Sequence, residues 1–137
     1  MKFDNVKCLE LNGLALADFT DGEDDGEDAT GYIDGTYQLP AGAFPLFWEA
    51  NITTAFVGTT SATMAVGTTT DADAFTAVTT NSVVAVAKKT SFALAPCTAA
   101  DRAVRVTITD TKESDPDFGV FSAGELSLKL FYIESET

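Results

Sequence analysis

The sequence predicts an all-β fold: a single-domain β-sandwich or jelly-roll-like fold, with an N-terminal hairpin or extended arm. Three observations carry this. Short stretches alternate apolar and polar residues, and no segment of ten or more residues keeps a 3.6-residue period. Turn signals recur about every eight to twelve residues. The chain holds twenty threonines, and β-branched side chains fit a pleated surface better than a helix. At 137 residues the chain is long enough for one sizeable core.

The elements follow in order. Leu9 and Leu11, then Leu14 and Leu16, fit two strand-like pieces broken at Asn12-Gly13, a dipeptide that favours a hairpin turn. Residues 1–30 are therefore expected to form a small hairpin or an extended arm, and residues 31–137 the sandwich. Asp21–Asp28 is expected to be a polar loop, since like charges repel and glycine adds backbone freedom. A strand fits Tyr32–Leu39, kinked at Asp34-Gly35, and Pro40-Ala41-Gly42 turns the chain. Residues 43–57 read as one long strand or two, with Phe44, Leu46, Trp48, Ala50 and Ile52 on the core face. Phe47, Glu49, Asn51 and Thr53 share the other face. Val57-Gly58-Thr59-Thr60 and Val66-Gly67-Thr68-Thr69 recur as turns around a strand at Ala62–Val66. Asp71-Ala72-Asp73 opens a loop. Val83–Ala87 and Ser91–Ala95 read as two strands around Lys88-Lys89. Val104, Val106 and Ile108 mark a half-buried strand, and Lys112–Asp117 a polar loop. Leu126, Leu128, Leu130 and Tyr132 alternate with Ser127, Lys129, Phe131 and Ile133 in the clearest strand of all.

Charge is distributed unevenly. There are 21 acidic and 8 basic residues, a formal net charge of −13. A globule this negative repels phosphate backbones and anionic lipid, so nucleic acid and membrane surfaces are poor partners. Between residues 38 and 70 the only charged residue is Glu49, which makes the middle of the chain the part expected to pack or to face other subunits. No apolar run approaches the ~20 residues of a membrane span. The opening residues 1–8 lack the apolar core of a signal peptide, so synthesis in a cytoplasm is expected and the Asn51-Ile52-Thr53 sequon is expected to go unused. Two distant cysteines, Cys8 and Cys97, are expected to be free thiols.

Reactive constellations are scarce. The chain has no histidine, so Ser-His-Asp and Cys-His pairs and imidazole metal ligands have no members. No glycine-rich phosphate loop precedes a Lys-Ser/Thr pair. The acidic loop Asp21–Asp28 offers the oxygen donors that Ca²⁺ prefers, but an EF-hand frame starting at Asp21 puts Tyr32 where a bidentate glutamate is needed. It reads as a solvated loop. Trp48 with Tyr32 and Tyr37 offers an aromatic platform for sugar, yet a lone tryptophan on an alternating strand reads first as core. Lys88-Lys89, and Arg102 with Arg105, either contact an acidic neighbour or balance local acid. No catalytic, metal or cofactor residue is assigned, and no enzymatic activity is expected.

Several stretches resemble small virion proteins of tailed bacteriophages. They are Tyr37-x-Leu39-Pro40-Ala41-Gly42-Ala43, the strand reaching Ala55-Phe56-Val57-Gly58, Met64-Ala65-Val66-Gly67-Thr68, and Asp71-Ala72-Asp73-Ala74-Phe75. The closing Gly124-Glu125-Leu126-x-Leu128-x-Leu130-x-Tyr132 is similar as well. The resemblance covers roughly residues 32–75 and the C-terminal strand. It implies a capsid decoration (cement) protein, bound to the major capsid protein on the outer face of the shell, commonly as a homotrimer. It carries no catalytic residue. The alternatives are another virion part, such as a tail, adaptor or head-fibre base component, and a carbohydrate- or Ca²⁺-binding adhesion module.

Overall fold

The computed structural model describes residues 6–22, 29–76, 82–93 and 95–134. Among these residues, eight strands form two antiparallel sheets of four. The strands are β1 (Val6–Ala15), β2 (Thr20–Asp21), β3 (Thr30–Leu39), β4 (Ala43–Val57), β5 (Ala62–Thr68), β6 (Ala87–Phe92), β7 (Arg102–Asp110) and β8 (Ala123–Glu134). Sheet I has the order β1-β8-β4-β6 and sheet II the order β2-β3-β7-β5. The pairing is nested: β1 lies beside β8, β3 beside β7 and β4 beside β6. This is the rolled double ribbon of a jelly roll, with β5 at its centre. Among the described residues, the other side of β5 is met by the bridge from Thr63 to Ser82 and by the N–H groups of Val83 and Phe75, which donate to the Ala62 and Val66 carbonyls.

Alternation explains the core. Leu126, Leu128 and Leu130 of β8 face inward with Trp48, Ala50 and Ile52 of β4, opposite Val104, Val106 and Ile108 of β7, and none of these nine is exposed at all. Strict period-two placement of apolar residues leaves each strand one dry face, and two such faces stacked make the sandwich. One end is closed by an aromatic cluster. Phe19, Phe56, Phe118 and Phe121 meet mostly edge to face, with centroids 5.5–6.2 Å apart. Gly31 and Gly124 sit where a Cβ would strike the rings of Phe118 and Phe56.

The Pro40-Ala41-Gly42 turn forms where expected, with Gly42 at φ 80° and Ala43 N–H donating to the Pro40 carbonyl at 3.1 Å. The kink in β3 is present too, as a register shift against β7 between Asp34 and Gln38.

Three expectations change. Asn12-Gly13 does not turn the chain. It forms a bulge inside β1, between Leu11 and Leu14, with Gly13 at φ 63°. β1 continues along β8 and buries Leu9, Leu11 and Leu14, so this segment is neither a hairpin nor an arm. Phe44 is not core: it is 42% exposed, while Ala43 and Pro45 are buried. Pro45 has no N–H to give a ladder, and the register against β8 slips between Pro45 and Phe47, which reverses the alternation there. Lys88-Lys89 does not separate two strands. Both lysines lie within β6, which is at the edge of sheet I and leaves their ammonium groups access to water. Val83 instead plugs the core, accepting from Phe56 N–H and donating to the Ala62 carbonyl.

Candidate assembly surface

The outer face of sheet I is divided into an apolar half and a polar half. Residues that alternate with the core positions line up in rows across the strands. One row runs Cys8, Phe131, Phe47, Phe92 from β1 to β6. The next row outward is Val6, Ile133, Phe44. Phe47 and Phe131 stack with centroids 4.7 Å apart and planes 21° apart. Phe92 is 72% exposed, and Val6, Phe44 and Phe47 are also open to solvent. An open groove of about 400 Å³ lies between Phe47 and Phe92.

The following row is Glu10, Lys129, Glu49, Thr90, and Ser127, Asn51, Lys88 come after it. Glu10 and Lys129 approach to 3.8 Å, both about half exposed. An exposed aromatic cluster bordered by charge is the composition of an interface centre and its rim. Its rings pack on the face of sheet I opposite the core.

The remaining candidates separate from this surface. Trp48 is wholly buried, and its indole N–H donates to the Phe75 carbonyl at 2.7 Å. Tyr37 is 70% exposed at the end of β3, and Tyr32 lies under the Arg105 guanidinium at 3.9 Å, so the three rings form no common platform. Arg105 grips Asp34 through two bonds, of 2.7 and 3.1 Å, and this pairing raises its pKa. Arg102 does something different. It turns to the sandwich end, donates to the Pro96 and Ala43 carbonyls at 3.2 and 3.0 Å, and lies over the Phe75 ring. Burial lowers its pKa, and its Nε has no hydrogen-bond partner among the described residues.

Cys8 and Cys97 are both free and exposed. Burial of part of the Cys8 thiol, then the charge of Glu10, raises its pKa. Residues 23–28 of the acidic loop lie outside the described residues. Among the described residues, no three His, Cys, Asp or Glu side chains gather to hold a metal ion. Lys88 and Lys89 form no ion pair among the described residues. No helix of the described residues is long and apolar enough to cross a membrane.

The aromatic face was half legible. Alternation puts Phe47 and Phe131 off the core, but their alignment with Cys8 and Phe92 depends on the strand order β1-β8-β4-β6. No local pattern encodes which strands are neighbours.

No family model matches the chain, and a comparison with curated proteins finds no match. Solved structures do resemble it. A chain of the cyanophage Pam1 capsid asymmetric unit superposes with a TM-score of 0.58 at 19% identity, covering 96% of this chain and 86% of the other. A chain of the capsid of Ralstonia phage GP4 gives 0.57 at 14% identity, covering 96% and 84%. What is shared, over nearly the whole of both partners, is the fold of proteins found in two phage capsids.

Proposed function

We propose that this chain is a structural protein of a phage virion, of the decoration or cement type, seated on the outside of the shell. The observation that carries the reading is the likeness of fold to chains of two phage capsids over 96% of this chain and at least 84% of theirs. Its charge supports an exterior position: a −13 protein is repelled by packed DNA and is better placed outside the shell. The aromatic half of sheet I supports docking. Phe47, Phe131 and Phe44 form the apolar centre that meets the major capsid protein, and Glu10, Lys129 and Glu49 form the rim. The protein acts by burying these rings against the shell, holding neighbouring capsid subunits together, and does so as a homo-oligomer, a trimer at a symmetry axis. No catalytic step is involved.

Binding to shells that lack the chain tests this. Purified protein added to such shells is expected to bind saturably and to raise the temperature at which they release DNA. Protein that stays unbound at micromolar concentrations sinks the proposal.

A further inference from the structure

The two edges of sheet I fit each other. Among the described residues β1 has a strand neighbour only in β8, and β6 only in β4. Two grooves lie at these edges. One is beside Phe92 on β6, and a second, of about 580 Å³, runs along Cys8, Leu9 and Glu10 of β1, flanked by Tyr37 and Gln38. Neighbouring strands in sheet I are antiparallel throughout, so β1 and β6 run in opposite directions. A second copy placed beside the first in the same orientation therefore offers an antiparallel β6 to β1.

Length and charge set the register. β1 before its bulge, Val6–Leu11, has six residues, and so does β6. Full overlap keeps outward residues opposite outward residues. It sets Val6 opposite Phe92, Cys8 opposite Thr90 and Glu10 opposite Lys88. Apolar meets aromatic, and acid meets base. The basic side also stands out in the sequence, because no acidic residue occurs between Asp73 and Asp101, and Lys88 and Lys89 are its only charges. Lysines on an edge discourage like edges from pairing. Two β6 edges would confront lysine with lysine; β6 against β1 gives Lys88 a carboxylate.

We infer that copies of this chain associate head to tail, β6 of one on β1 of the next, which joins their aromatic faces into one surface. The contact is heterologous, so it closes into a ring when the rotation between copies allows. This deepens the self-association in the proposed function, but it does not depend on the shell.

Charge reversal and cross-linking test it on the full chain, with circular dichroism as the folding control. Lys88→Glu and Glu10→Lys are each expected to weaken association by about tenfold, read by sedimentation, and the double variant to recover most of it. Thr90→Cys in a Cys97→Ser background is expected to give disulfide-linked oligomers through Cys8. Within one chain these positions are three strand spacings apart, about 14 Å, which is too far for an internal bond. A monomer at all concentrations, single variants that assemble like the parent, a double variant no better than the singles, or oxidised Thr90→Cys protein without cross-links overturns the inference. Failure to bind shells by an intact oligomer overturns the proposed function and leaves this contact standing.

Discussion

Phe47 and Phe131 stack at 4.7 Å on the outside of sheet I, paired across β4 and β8 on the face opposite the core. Their neighbours behind them, Trp48 and Leu130, are fully buried. Adjacent residues on the same two strands therefore divide the work, one pair holding the sandwich and the other available to a partner.

Replacing both rings, Phe47→Ser with Phe131→Ser, is expected to cost about 1–2 kcal/mol, because a ring pair half open to water contributes little beyond its own contact. The variant should fold and melt only a few degrees lower, while its affinity for shells falls at least about tenfold. Differential scanning calorimetry and a shell-binding assay check the two halves of this expectation.

Trp48 is the single tryptophan and is fully buried. Its fluorescence is expected to be blue-shifted, poorly quenched by acrylamide, and to move red in one step as denaturant unfolds the domain. Trp48→Phe leaves the Phe75 carbonyl without its donor and opens a small void, and should lose about 2–3 kcal/mol in urea titrations.

Asp110 is a buried carboxylate at the end of β7. It accepts from the Thr59 hydroxyl at 2.7 Å and from the backbone N–H groups of Asp117 and Lys112 at 2.9 and 3.2 Å, with the Lys112 ammonium 3.4 Å away. Burial pushes its pKa up, but these bonds and the Lys112 charge together outweigh burial and hold it below the ordinary carboxylate value. With the folded pKa depressed, the unfolded chain takes the proton first. The stabilisation is thus complete above the ordinary value of about 3.9 and is lost as pH falls through the lower folded pKa. Asp110→Asn is expected to lose about 2–3 kcal/mol at neutral pH and to show a shallower loss of stability below about pH 4, measured by urea titration across pH.

Two glycines differ in what they require. Gly58 has φ 131°, and a Cβ there would collide with the Val120 carbonyl, so Gly58→Ala should cost more than about 2 kcal/mol. Gly13, in the β1 bulge, has φ 63° with nothing within 4 Å of a Cβ, so Gly13→Ala should cost only about 1 kcal/mol, the left-handed penalty alone. Thermal melts of the two variants should rank them in that order.

Much of this fold was legible because alternation is a local signal. The core faces of β7 and β8 and the turn at residues 40–42 follow from spacing alone. Bulges break that logic. One extra residue near Pro45 exposes Phe44, and another at Asn12-Gly13 keeps β1 on β8 where a turn signal predicted a reversal. Lys88-Lys89 misled for a different reason: an edge strand tolerates consecutive lysines that a central strand does not. The candidate surface needed the strand order, since Cys8, Phe131, Phe47 and Phe92 come from four strands and meet only in the folded sheet.

The most direct test of the central claim is the location and copy number of this chain in purified phage particles, by quantitative mass spectrometry and a particle reconstruction. Copies in the hundreds are expected, in density on the outer surface of the shell. A handful of copies at the tail or a single vertex, or density inside the shell, would contradict that claim.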